Sequence, residues 1–136
     1  MPLLADKRIT VRNLRYDPDT DTETEICTVL DGVSVHAKTV AAAADDGLHA
    51  CCVAQIRIFS ADTLSAPQST PDAPLPAGDT YLEPAAWAGA DAAAAAKAWT
   101  LRPGDRIEYK GQTLTLLAVH DNRGLRRCPI WYAEAN

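Results

Sequence analysis

The residues with the clearest chemical potential are the carboxylates of the loop Asp17-Pro18-Asp19-Thr20-Asp21, which alternate along the chain. Alternating carboxylates open the Ca²⁺ loop of an EF-hand, which also needs Gly at its sixth position and a bidentate Glu at its twelfth. Counted from Asp17, those positions hold Thr22 and Thr28. Because both requirements fail, the pattern predicts a solvated hairpin loop and no calcium site.

Cysteine and histidine side chains could hold zinc if the fold gathered them. No two cysteines have CxxC spacing, and the adjacent pair Cys51 and Cys52 would point to opposite faces of a strand. We therefore expect reduced thiols that are buried as small hydrophobic side chains, with no metal and no cofactor. The set comprises Cys27, Cys51, Cys52, Cys128, His36, His49 and His120.

Nucleophilic catalysis would need a nucleophile, a positioned base and an orienting acid. His120 and Asp121 are adjacent, but they precede a short turn in which Asp serves the backbone. Gly104, Gly111 and Gly124 are spaced as hairpin turns and not as a phosphate-binding loop. The sequence predicts no catalytic residue and no enzyme.

Charge is unevenly distributed along the 136 residues. The net charge of −5 argues against a general nucleic-acid binder. Residues 17–25 carry five carboxylates, whereas residues 101–127 carry six cations against three anions. This asymmetry suits head-to-tail contact between copies, although an acidic loop beside a solvated sheet face would give the same pattern. Our candidate interface residues are Asp19, Asp21, Arg57, Pro71, Pro74, Arg106, Arg123, Arg126 and Arg127.

Alternating and β-branched runs predict a chain made mainly of strands. The predicted strands cover residues 7–14, 26–37, 50–59, 106–110, 113–120 and 127–133. Pro129 lacks an N–H to donate, so the last strand is expected at a sheet edge or at a bulge. The alanine-rich stretch 39–49 is predicted to be a connection with a short helical turn that stops at Gly47.

One short helix is predicted within residues 81–98. Pro84 suits a first helical position, Gly89 would split the helix, and Asp91 would cap the second part. Because a helix this short is marginal alone, it must pack on the sheet through Trp87 and Trp99.

Residues 60–80 contain Pro67, Pro71, Pro74 and Pro76 among small and polar residues. This composition predicts a long extended Pro-rich loop. The whole chain is then a single mainly β domain over residues 1–136. Its predicted fold is a small antiparallel barrel or sandwich of six to seven strands with one short helix.

The chain resembles small virion structural proteins of tailed bacteriophages and prophages, which include minor capsid and head–tail joining proteins. The departure is Ile130, where the family has a His before its closing Trp. The residues that carry the resemblance are Tyr81, Pro84, Trp87, Trp99-Thr100-Leu101, Gly104-Asp105, Gly111, Asp121-Asn122-Arg123 and Trp131.

The resemblance implies a head-completion or neck protein, such as a stopper, that acts as a cyclic homo-oligomer, a hexamer or a dodecamer. Tail terminator and other minor capsid roles stay open, as does a metal-binding or enzymatic barrel of another class. The implied partners are portal, adaptor and tail proteins, with DNA in the channel and no membrane. The implied location is the virion, assembled in the host bacterial cytoplasm. The resemblance also favours a bulge over a hairpin turn at Asp31-Gly32.

Overall fold

The computed structural model describes residues 6–44, 47–67, 74–124 and 130–136, with the backbone alone at 38–44 and 47–52. The strands are β1 (Lys7–Asp17), β2 (Thr22–Ala44), β3 (Gly47–Phe59), β4 (Leu64–Pro67), β5 (Leu75–Pro76), β6 (Arg106–Tyr109), β7 (Gln112–Asp121) and β8 (Ile130–Ala135). The helices are α1 (Ala77–Thr80), α2 (Pro84–Gly89) and α3 (Ala92–Ala96).

Six of the strands form a closed antiparallel barrel. Their order is β1-β6-β7-β8-β3-β2, and pairing of β1 with β2 closes the ring. The remaining strands, β4 and β5, extend from β2 outside this ring. The predicted mainly β fold, an antiparallel barrel or sandwich of six to seven strands, is therefore confirmed as a six-stranded barrel with two further short strands.

Period-2 alternation explains how the barrel fills. Ile9 and Val11 on β1 and Ile56 and Ile58 on β3 are buried, while the residues between them face outward. At the centre lie three aromatic rings whose centroids are 4.7 to 5.1 Å apart. These rings belong to Tyr81, Trp99 and Trp131.

A bulge at Gly32 allows the long strand β2 to pair with β1 before the bulge and with β3 after it. Lys7 pairs with Val33 but Arg8 pairs with Asp31, so Gly32 is the extra residue. Gly32 has φ 90°, a conformation that favours glycine. Beyond the bulge β2 leaves β1 and pairs with β3. The bulge favoured over a hairpin turn at this dipeptide is confirmed.

The predicted helical segment forms two helices that cover a second, smaller core. Pro84 begins α2, and the side chain of Asp91 caps α3 by accepting a hydrogen bond from the Ala94 N–H at 2.7 Å. Trp87 is fully buried against Ile26, and its indole N–H donates to the Ala95 carbonyl at 3.2 Å. The break at Gly89 is confirmed, but α1 makes three short helices where one was predicted.

One prediction about the strands was wrong and another was wrong in part. Residues 39–44 and 47–49 are not a helical connection but lie in β2 and β3, where Thr39 pairs with Cys52 and Ala44 with Gly47. Alanine is permissive in either structure, so composition did not reveal the pairing. Strand β8 lies between β7 and β3, so the prediction of an edge strand was wrong. Pro129, where a bulge was the predicted alternative, lies outside the described residues.

The segment 60–80 is not simply an extended loop, because β4, β5 and α1 lie within it. Its small polar residues find partners in the folded chain. The Thr63 hydroxyl donates to the Gly32 carbonyl at 2.7 Å, and the Ser65 hydroxyl donates to the Leu75 carbonyl at 3.0 Å. Both side chains are buried. Residues 68–73, including Pro71, lie outside the described residues.

Substitution of Gly32 tests the bulge. We expect Gly32→Ala to lower the free energy of unfolding by about 1 to 2 kcal/mol, because an L side chain at this positive φ is strained. The matched control is Gly89→Ala, since a Cβ there meets nothing within 4 Å. The control should be neutral or slightly stabilising. Urea unfolding of both variants measures the difference, and equal effects would contradict a special role for Gly32.

Candidate functional site

The acidic residues 17–21 form the turn between β1 and β2, at one end of the barrel. The Asp17 carboxylate accepts a hydrogen bond from the Asp19 N–H at 3.0 Å, and the Tyr16 hydroxyl donates to Asp21 at 2.6 Å. This hydrogen bond to Asp21 raises the pKa of Tyr16. The predicted hairpin loop is confirmed. Within the described part of the chain, no group of three or more acidic, Cys or His side chains could hold a metal ion.

His120 and Asp121 do not act on one another. His120 faces the outside of β7 and stacks on Tyr132, with the ring centroids 5.9 Å apart. The Asp121 carboxylate instead accepts two hydrogen bonds from the Arg123 guanidinium, at 2.6 and 2.8 Å. An acid–base pair suitable for activating a nucleophile is therefore not formed by these two residues.

Arg123 closes one end of the barrel. Its guanidinium lies over the rings of both Tyr81 and Trp131, 4.7 Å from each centroid, and also donates to Glu83 at 2.8 Å. The hydrogen bond to Asp121 raises the pKa of Arg123, and the same contact lowers the pKa of Asp121. Asp121 and Trp131 lie on β7 and β8, whereas Tyr81 and Glu83 lie just before α2. These contacts, which we call the Arg123 latch, therefore hold the β7–β8 end of the barrel against the segment before α2.

A buried polar network around Asn13 holds the chain before β6 against the barrel. The Asn13 amide donates to Asp105 at 2.8 Å and to the Thr100 carbonyl at 2.9 Å, and it accepts from the Thr100 N–H at 3.2 Å. Arg102 donates twice to Asp105, both at 3.1 Å, and to the Leu14 carbonyl at 2.7 Å. Its guanidinium also lies 4.9 Å above the Trp87 ring. The network ties β1 to the chain between α3 and β6.

Because of these contacts, part of the positive charge in residues 101–127 is paired within the molecule. Arg102 and Arg123 are satisfied inside the molecule, so neither contributes a free charge to an outer face. Arg106 is exposed on β6 opposite Arg12. Arg12 in turn bridges Glu25 and Glu108, at 2.7 Å from each. The outer face of β2, β1 and β6 thus carries largely compensated charge.

The structure distributes the other predicted interface residues over the surface. Asp19 and Asp21 lie at the β1–β2 turn, and Arg57 lies on β3 with its guanidinium 5.2 Å from the centre of the Tyr132 ring. Pro74 lies beside β4, far in sequence from both. Pro71, Arg126 and Arg127 lie outside the described residues. The described members of the set therefore lie on several different elements, and their role as interface residues stays a prediction.

An apolar groove missed by sequence analysis lies on the outer face of β2 and β4. Its volume is about 550 Å³. Leu64, with 43% of its surface exposed, is its largest apolar side chain. The Arg8–Asp31 ion pair, at 3.1 Å, lies on its rim. The groove is lined by Arg8, Cys27, Val29, Asp31, Leu64, Ala66 and Pro74. Only the pairing of β4 with β2 creates it, so no local pattern could have revealed it.

Cys27 is the cysteine whose side chain the structure describes. Its sulfur lies 3.7 Å from the Glu25 carboxylate in the wall of the groove. Burial, with the neighbouring Glu25 charge second, raises the pKa of the thiol. A raised pKa disfavours the nucleophilic thiolate. The geometry therefore gives Cys27 a packing role.

Removal of Asn13 tests the polar network. We expect Asn13→Leu to lower the free energy of unfolding by about 2 to 4 kcal/mol, since it removes the partner of the buried Thr100 N–H and carbonyl and one of the hydrogen bonds to Asp105. The matched control is Thr10→Val, on the outer face of the same strand, which should be nearly neutral. Urea unfolding separates the two, and a neutral Asn13→Leu would mean that the network does not hold the connection.

The pH dependence of stability tests the Arg123 latch. Because Arg123 lowers the native pKa of Asp121, the pair stabilises the fold fully above the ordinary value of 3.8 and less as pH falls through the native pKa. Asp121→Asn should therefore be destabilised relative to wild type at neutral pH, and the difference should shrink below about pH 4. The control, Asp62→Asn, removes an exposed carboxylate outside the latch. A difference that does not change in acid would contradict the latch.

Comparisons with known proteins identify one family. The sequence profile of DUF6751, a family of unknown function, matches residues 4–115. Neither curated proteins nor solved structures gave a match. No helix among the described residues is long and apolar enough to cross a membrane. The match spans most of the chain, from the start of β1 into β7, and the protein therefore belongs to the DUF6751 family.

Proposed function

We propose that this protein is a structural component of a tailed-bacteriophage virion, a head-completion or neck protein that works by ring assembly. The observation that carries the proposal is the closed barrel with a filled interior. Three aromatic side chains pack against one another at its centre, and among the described residues the outer strand faces, the turns and the groove are the surfaces that it offers to other molecules.

The resemblance to virion proteins supports this proposal through the roles of its residues. Tyr81, Trp99 and Trp131 form the aromatic core, and Trp87 forms the second core. Asp121 and Arg123 form the latch, while Gly104 has φ 94° in the turn that leads to Asp105. The motif thus consists of fold-forming positions, as expected for a family whose members work through contact surfaces.

The proposed partners are other copies of this chain and the portal, adaptor and tail proteins of the same phage. A hexameric or dodecameric ring around the DNA channel would sit in the virion, after assembly in the bacterial cytoplasm. Tail terminator and other minor capsid roles are the alternatives, and the identity of the captured partner distinguishes them.

Co-expression with the products of neighbouring genes tests the function. We expect the protein to purify as a ring bound to the portal-side adaptor or to a tail protein, with the mass measured by native mass spectrometry. The control is the major capsid protein expressed with it under the same conditions, which should not be retained. Failure to associate with portal, adaptor or tail proteins, or turnover of a substrate by the purified protein, would contradict the proposal.

A further inference from the structure

The β2–β3 hairpin extends beyond the barrel as a two-stranded ribbon, Lys38–Ala44 paired with Gly47–Val53. The pairing of β2 with β1 ends at Val33, and the pairing of β3 with β8 ends at Ala54. Among the described residues no third strand joins the ribbon. Seven paired positions at about 3.3 Å each make it roughly 20 Å long.

Each outer edge of the ribbon carries unpaired backbone groups. In an antiparallel pair, every second residue directs its N–H and C=O away from its partner. Such an edge is a template for another strand, and natural proteins usually protect it with charges, prolines or bulges. An isolated two-stranded ribbon is also only marginally stable in water. The ribbon is therefore a structure that a further strand would complete.

The sequence leaves the ribbon edges unprotected. Lys38 is the one charged residue in its two strands, and neither strand contains proline. The contrast with the sheet edge at β4 and β5 is informative, because Pro67 and Pro76 lie there and cannot donate to an added strand. The sheet edge at β4 and β5 is thus protected by proline, whereas the longer edges of the ribbon are not.

We propose that neighbouring copies of this chain pair through the ribbon, with the β2 edge of one copy against the β3 edge of the next. The inference deepens the proposed ring and rests on it. Pairing of two different edges is a heterologous contact, which generates a closed ring when the rotation between copies closes. If all ribbons point the same way, β2 of one copy runs antiparallel to β3 of its neighbour.

A second copy is the occupant that these features favour. Every copy supplies both edges, so each ribbon gains two neighbours without any additional protein. The charges of this hairpin are Lys38 at its base and Asp45 and Asp46 between its strands, so the paired lengths of identical ribbons meet with little like-charge repulsion. An edge strand from an unrelated protein would leave the other edge of each ribbon open.

Lysine substitution on the ribbon tests the contact. Val40→Lys/Ala42→Lys places two charges on one strand of the ribbon, as protected edges do. The matched control is Thr113→Lys/Thr115→Lys, which adds the same charge at exposed positions of β7 that pair with β6 inside the barrel sheet. Circular dichroism and the thermal midpoint check that both variants are folded, and analytical ultracentrifugation measures the mass of each assembly.

We expect the control to form the same ring as wild type and the ribbon variant to dissociate at concentrations at least about tenfold higher. Amide hydrogen exchange should show the ribbon protected in the ring and unprotected in the dissociated variant. A ribbon variant that forms the wild-type ring overturns the ribbon contact but leaves the virion function standing. A wild type that is monomeric at every concentration overturns the contact as well as the ring. Rings that fail to bind portal, adaptor or tail proteins overturn the virion function alone.

Discussion

Packing of Trp99 against Trp131 and Tyr81 inside the barrel is the interaction on which the rest of the structure depends. The three rings meet edge to face or tilted, the arrangements that aromatic side chains prefer. The Trp99 indole N–H donates to the Ala77 carbonyl at 3.2 Å, and Trp131 belongs to β8. A segment without regular strands is thereby anchored within a closed sheet.

Two polar contacts complete this anchoring at its ends. The Arg123 latch holds the segment near Tyr81, and the Asn13 network holds the chain between Trp99 and β6. Both use charges that would otherwise be available at the surface. Arg102 and Arg123, two of the six cations between 101 and 127, therefore serve the stability of the chain itself and are not free for intermolecular contact. For this reason the proposed assembly relies on the ribbon edges more than on the charge asymmetry.

Local chemistry predicted much of the fold. The alternation at Ile9 and Val11 and the cap at Asp91 concern residues close in sequence, where spacing determines the outcome. The bulge at Gly32 was favoured by the family resemblance alone, because an Asp-Gly dipeptide also suits a hairpin turn. The Asn13 network could not be predicted in this way, because its partners are 87 and 92 residues distant along the chain. The small strands within 60–80 also escaped prediction, since hydrogen bonds from Thr63 and Ser65 offset their weak apolar content.

In the candidate site, too, features formed by residues close in sequence were predictable and features formed by distant strands were not. The acidic turn was recognised from Asp17 to Asp21 because turn residues act locally. The groove beside Leu64 and the open ribbon edges follow from which strands pair, and no sequence window contains that information. The surfaces available for assembly are thus properties of the barrel topology and not of a motif.

The most direct measurement is an electron cryomicroscopy map of the phage particles produced from the genome that encodes this protein. The account predicts density for the barrel repeated around the head–tail junction, with the ribbons of adjacent copies joined in one continuous sheet. Its absence from the particle, or barrels at the junction whose ribbons do not touch, would contradict the account.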